Sequence, residues 1–163
     1  MKMEESETQR GLSELMERGS VYRIREGKSP REVLSALVRA LPPLPSVPAE
    51  KLLEALLERE ALMPTGIGRG IALPHPRNPI ISAENEQFAA LAYLDNPVNW
   101  NSLDGEQVDT LLLIVSASAK QHLRTLSEVT FFCRQENFCR LLKEQAPPED
   151  LLRFIRETEN NWK

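Results

Sequence analysis

Leu62-Met63-Pro64-Thr65-Gly66-Ile67-Gly68-Arg69-Gly70-Ile71-Ala72-Leu73-Pro74-His75-Pro76-Arg77 is the stretch on which the fold turns. Residues 63–81 hold three of the chain's seven glycines and four of its twelve prolines, Pro64, Pro74, Pro76 and Pro79. Such density excludes a regular helix and leaves room for short strands at Ile67 and at Ile71–Leu73. A histidine between two prolines cannot lie inside a helix. Pro74 and Pro76 hold the backbone extended, so the His75 ring is aimed with little conformational freedom left to lose. The glycines upstream let backbone amides come close to an anion.

Working outward, the upstream side reads as helical. Ser29-Pro30-Arg31-Glu32 is a helix start, with Ser29 as cap, Pro30 at the first position and Glu32 closing a capping box. Val33, Leu34, Leu37, Val38 and Leu41 give that helix one apolar face. Four prolines between Pro42 and Pro48 end it and form a stiff connector. A second helix is expected from about Pro48 to Glu60, with Leu52, Leu53, Leu56 and Leu57 on one side. Val21 to Arg25 alternates as a short strand. Residues 1–18 are expected to be a polar tail or a short helix ending near Gly19, and residues 19–160 to form the domain.

Downstream, Phe88–Leu94 and Val108–Val115 read as stronger strands. The second is almost wholly apolar, as in a strand buried on both faces. Leu103-Asp104-Gly105 marks a turn before it. Ser118 is expected to cap a helix running to about Arg134, and Asn137–Lys143 and Pro148–Glu159 to add two more. Strands interleaved with helices argue for an α/β fold with a mixed sheet in a single domain.

Length and composition agree. The chain has 163 residues, 41% hydrophobic and 27% charged, with a formal net charge of -4. That is enough chain to bury a core unaided. Collagen-like and strongly disordered classes are excluded, and no dense basic cluster points to nucleic acid. No apolar run reaches the ~20 residues of a membrane span. The N-terminus lacks a secretory pattern. Cys133 and Cys139 are too few for a disulfide scaffold and read as packing residues in a reducing, cytoplasmic setting.

The chemistry has few places to reside. His75 and His122 are the two histidines, and His122 falls near the start of the helix after Ser118, where the dipole attracts anions. These features suit a phosphate or other small oxyanion. Gly66, Gly68 and Gly70 form neither a Walker loop nor a dinucleotide fingerprint. The cysteine spacing does not suit a structural zinc site, and no Gly-x-Ser-x-Gly elbow is present. No metal and no cofactor is expected. Taken singly, a histidine is more often a surface or satisfied core residue, and Arg69 and Arg77 read equally as solvated charges or as a basic rim. Trp100 reads as a loop anchor.

The run from Thr65 to His75 resembles the active-site signature of fructose/mannitol-type enzyme IIA domains of the bacterial phosphoenolpyruvate–sugar phosphotransferase system, most of all the nitrogen-regulatory branch. Leu57-Glu58-Arg59-Glu60 is similar to that family's Arg-Glu pair at a helix end. Val108-Asp109-Thr110-Leu111-Leu112-Leu113 resembles its central strand, and Gln121-His122-Leu123-Arg124 its second-histidine helix. The likeness runs over roughly residues 20–160. It implies a mixed, mainly parallel sheet flanked by helices. It also implies that an HPr-like phosphocarrier donates a phosphoryl group to His75, with His122 and Arg59 beside it. Pro76 departs from the glycine or alanine frequent after that histidine.

Beside the resemblance stands a physical expectation. Arg59 supplies a forked cation to the phosphoryl oxygens, His122 a hydrogen bond, and the backbone from Thr65, Gly66, Ile67 and Gly68 further donors. The second ring nitrogen of His75 is expected to donate to a carbonyl that the sequence does not name. Four roles remain open: a carrier passing phosphate to a IIB acceptor, as in a sugar permease; a regulatory module whose phosphorylation state controls docking to a transporter or sensor kinase; a sensory domain of a transcription regulator, whose DNA-binding module this chain is expected to lack; and an anion-transporter-like domain, disfavoured by the two histidines. Homodimer formation is a further open point.

Overall fold

The structure, a computed structural model, describes residues 11–162. Residues 1–10 of the expected tail lie outside the described residues. The remainder of that segment is helix α1 (Leu12–Gly19), which buries Leu12, Leu15 and Met16. A β-carbon at Gly19 would overlap the carbonyl of Ala89, so this helix ends in direct contact with a strand backbone.

The strands are β1 (Val21–Ile24), β2 (Gly66–Gly68), β3 (Ile71–Ala72), β4 (Phe88–Val98) and β5 (Val108–Val115). They form one five-stranded sheet in the order β1-β4-β5-β3-β2. The sheet is mixed, as expected. β1 pairs with β4 and β3 with β5 in parallel, while β4 with β5 and β2 with β3 are antiparallel. β5 spans the residues read from its apolar run. β4 runs four residues past Leu94, through Pro97, after a register shift that pairs Val98 with Val108.

The other helices are α2 (Pro30–Ala40), α3 (Ala49–Leu62), α4 (Ala119–Cys133), α5 (Glu136–Lys143) and α6 (Pro148–Asn161). Ser29 Oγ accepts from Glu32 N–H at 3.2 Å, and Glu32 Oε1 accepts from Lys28 N–H at 2.8 Å. That is the reciprocal capping logic expected, displaced by one residue on the return bond. Ser118 Oγ caps α4 by accepting from Gln121 N–H at 3.1 Å. α3 runs two residues beyond Glu60, because Ala61 and Leu62 still favour helix and Pro64 stops it.

Alternating side chains send the sheet into two cores. Ala90, Ala92, Leu94, Leu111 and Leu113 pack with Val33, Leu34 and Leu37 of α2 and Leu52 and Leu56 of α3. Ala89, Leu91, Tyr93, Leu112 and Ile114 pack with α1, α4, α5 and α6 through Leu15, Val129, Phe132, Phe138, Leu151 and Ile155. Helices on both faces explain why β4 and β5 are apolar throughout their central residues. Cys133 is buried and Cys139 half-buried, both as free thiols, and Cys139 Sγ donates to the carbonyl of Cys133.

Candidate functional site

The sheet topology brings the histidines together. β3 and β5 are parallel neighbours, so the segments leaving their carboxyl ends emerge at the same edge of the sheet. His75 follows β3, and His122 sits in the first turn of α4, which follows β5. Such an edge is where open α/β sheets place ligands.

β2 and β3 are joined by Arg69 and Gly70, with φ of 59° and 80°. Two successive positive φ values are what a type I′ hairpin turn requires, and Gly70 adopts its value without steric cost. The hairpin carries the chain into Leu73-Pro74-His75, which is tied down on two sides. Leu73 N–H donates to Thr65 O at 2.9 Å, and Ile114 N–H of β5 donates to Pro74 O at 3.0 Å.

The His75 ring is thereby fixed. Its Nδ1 lies 2.8 Å from Leu73 O. A carbonyl can only accept, so Nδ1 carries the proton and Nε2 keeps its lone pair. The carbonyl that sequence alone left unnamed is that of Leu73. The side chain is 9% exposed. Burial is the main force lowering its basicity, opposed by the bond to Leu73, with Arg59 lowering it further and Glu60 raising it.

His122 packs against this ring with centroids 4.8 Å apart and planes inclined at 45°. Burial, then His75, then Arg59 push its pKa down to about 4. Both imidazoles are therefore neutral at pH 7, each with one N–H and one lone pair.

Arg59 and Glu60, in the last turn of α3, bear on the pair. Arg59 Nη1 donates to Met63 O at 2.6 Å, and its charge bears on both rings. Glu60 Oε2 accepts from Thr65 N–H at 2.7 Å and Oε1 from Thr65 Oγ1 at 2.7 Å. This alters the part expected of Thr65. Its amide and hydroxyl protons are already committed to Glu60, so it anchors the segment and has no free backbone donor for an anion. Gly66, Ile67 and Gly68 form the edge strand β2.

Trp100 is buried and donates Nε1–H to Thr65 Oγ1 at 3.3 Å, so the loop anchor read from sequence is an anchor of this site. Arg77 and Ser116 line a cavity of about 90 Å³ with His122 and Ala119, the first residue of α4. Ser116, directly after β5, was not singled out from sequence because nothing local marks a serine at a strand end. Arg69 lies away from the histidines, with Nη1 3.5 Å from Cys139 Sγ. No group of three or more potential metal-ligating side chains occurs among the described residues.

Comparison with known proteins points the same way. The family described as "Phosphoenolpyruvate-dependent sugar phosphotransferase system, EIIA 2" matches residues 14–158. The chain is 34% identical over 119 residues to the nitrogen regulatory protein of Escherichia coli (strain K12), a match covering 70% of each chain. It superposes on the crystal structure of nitrogen regulatory protein IIA-Ntr from Neisseria meningitidis with a TM-score of 0.70 at 21% identity, covering 88% of this chain and 97% of that one. It is also similar to the Escherichia coli mannitol enzyme IIA, solved in complex with phosphorylated mannitol enzyme IIB. That match has a TM-score of 0.55 at 19% identity and covers 75% of this chain and 83% of that one.

Proposed function

The chain belongs to the type-2 EIIA family of the phosphoenolpyruvate-dependent sugar phosphotransferase system, and from that premise we propose that it carries a phosphoryl group on Nε2 of His75. The observation that supports this most directly is the His75 ring, held by Leu73 O through Nδ1–H and set against His122. Its regulatory relatives favour a nitrogen-branch role over sugar transport.

The donor in this reading is a phosphohistidine on an HPr-like protein. Nε2 of neutral His75 attacks phosphorus in line, the Nε2–P bond forms, and the P–N bond to the donor imidazole breaks. The donor ring recovers its lone pair, so no proton need be exchanged with solvent. Nδ1–H stays on His75 throughout, and its bond to Leu73 O stabilises the positive charge that develops on the ring. Phosphoryl transfer asks mainly for positioning and charge stabilisation. Arg59 supplies the cation, His122 an N–H to an equatorial oxygen, and the β2 backbone from Gly66 to Gly68 further donors.

Delivery to a IIB-type acceptor is the reverse attack, by the acceptor's side chain on phosphorus. The mannitol IIA–IIB complex supports that step as the alternative, sugar-linked use of the same site. Both uses are cytoplasmic in this reading. No helix among the described residues is long and apolar enough to cross a membrane.

Incubation with phosphoenolpyruvate, enzyme I and HPr or its nitrogen-branch counterpart tests the proposal. An acid-labile phosphoryl group should appear, located on Nε2 by nitrogen-15 and phosphorus-31 NMR, and be absent in His75→Ala. A wild-type protein that gains no phosphoryl mass from either donor overturns it.

A further inference from the structure

We propose that Glu60 is the positioning residue of the site: through Thr65 and Leu73 its carboxylate holds the carbonyl that selects the reactive tautomer of His75. The inference rests on His75 being the phosphoryl acceptor, and it assigns the part of the molecule that makes Nε2 the attacking atom.

The structure shows a continuous chain of hydrogen bonds. Glu60 takes both donors of Thr65 at 2.7 Å each. Thr65 O takes Leu73 N–H at 2.9 Å. Leu73 O takes Nδ1–H of His75 at 2.8 Å. Every link runs through a fixed backbone or a two-pronged contact, so little slack accumulates between the carboxylate and the ring. Arg59 holds the same connector from its other end by donating to Met63 O at 2.6 Å. The segment between α3 and β2 is therefore clamped at Met63 and at Thr65. Trp100 closes the arrangement by donating to Thr65 Oγ1, which leaves the Thr65 hydroxyl proton to Glu60. Of these groups, Glu60 alone contacts both donors of Thr65.

The carboxylate has a second effect. The charged and titratable groups that bear on the His75 ring are Arg59 and Glu60 from α3, and His122 from α4; Arg77, two residues further on, is exposed. Arg59 opposes protonation of the ring and Glu60 favours it. Glu60 thus offsets a small part of the loss of basicity that burial and Arg59 impose on the ring.

The test separates position from charge. In Glu60→Ala, nitrogen-15 shifts of His75 at neutral pH should change from the Nδ1–H tautomer to a mixture. The Leu73 amide should exchange faster, and phosphorylation should slow roughly tenfold, short of the about 100-fold that a 1 Å misplacement can cost. Glu60→Gln can still accept from Thr65 N–H through Oε1 and donate to Thr65 Oγ1 through Nε2. It should restore the tautomer and most of the rate while His75 titrates below the wild-type midpoint. Thr65→Val, which removes the hydroxyl half of the contact, should fall between the two and serves if Glu60→Ala does not fold. A folded Glu60→Ala, or failing that a folded Thr65→Val, with the wild-type tautomer and rate overturns the proposal. So does a Glu60→Gln as slow as Glu60→Ala. The tautomer is read without any phosphoryl donor, so a wild-type protein that is never phosphorylated defeats the carrier reading and leaves this readout standing.

Discussion

The rings of His75 and His122 lie 4.8 Å apart, centroid to centroid, and both are held neutral by burial and by Arg59. Two imidazolium ions at that separation would repel, and the neutral pair avoids it. A phosphoryl dianion arriving between them and Arg59 reverses the sign of the local field. In the proposed reaction the neutral pair and Arg59 would then face the anion without first having to shed a proton.

Replacing His122 with alanine should leave His75 able to accept phosphate and slow the step. Loss of one preorganised donor to a developing oxyanion costs about 10²–10³ in rate. Quenched-flow transfer from phospho-HPr measures this directly. A rate within twofold of wild type removes His122 from the reaction.

Acid should destabilise the fold through the same residue. His122 titrates near 4 when folded and at an ordinary value of about 6.5 when unfolded, so between those values the unfolded chain binds the extra proton. Stability contributed by the neutral ring is complete above pH 6.5 and is lost as pH falls towards 4. His75, shifted the same way, adds to this slope. Urea midpoints measured from pH 7 to pH 4 should fall, and His122→Asn should flatten the curve. Phosphorylation should raise the His122 midpoint, which two-dimensional NMR titration of both forms would show.

What could be read from the chain beforehand follows from how local each signal is. The β5 run from Val108 to Val115 is almost wholly apolar and follows the Asp104-Gly105 turn, and α4 is announced by the Ser118 cap, so both were legible. The His75 segment was legible because two prolines constrain it irrespective of its surroundings. The extension of β4 to Val98 was not, since Asp95-Asn96-Pro97 favour turns and lie in the register shift before Val98 pairs with Val108 of β5. The burial of α1 was equally hidden, as a short helix following an acidic segment shows its depth only once α6 and β4 are in place. The Leu73 carbonyl, the Thr65–Glu60 contact and the Trp100 donor are through-space relations, and no spacing rule encodes them. The motif named residues that the fold brings together, and left their mutual bonds to the fold.

Trp100 links stability to the site. It is fully buried and spans from the core of α2 and α3 to Thr65. Trp100→Ala should cost about 3–5 kcal/mol of stability. Trp100→Phe keeps most of the apolar contact and removes the donor, which should cost about 1 kcal/mol together with a slower phosphorylation rate. Urea denaturation and transfer kinetics on the two variants separate packing from positioning. Equal stability losses in both would show that the indole N–H, and not the ring, carries the effect.

Gly66 offers the sharpest steric test. A β-carbon there would land on Oγ of Ser102, a buried hydroxyl with no hydrogen-bond partner of its own among the described residues. Edge strand β2 and the loop after Trp100 therefore meet at glycine-only distance. Gly66→Ala should push them apart and destabilise the protein by about 1–3 kcal/mol, the usual range for an overpacked contact. Because Thr65 precedes this position, the displacement should also reach Leu73 and slow phosphorylation. Ser102→Gly removes the obstructing atoms and sacrifices no protein hydrogen bond. Its Cα would lie at an ordinary 3.5 Å from the new methyl group. The double variant should therefore recover most of both losses, in a non-additive cycle measured by denaturation and by transfer rate. Additive losses would mean that the two residues do not share the contact and that Gly66 is required for some other reason.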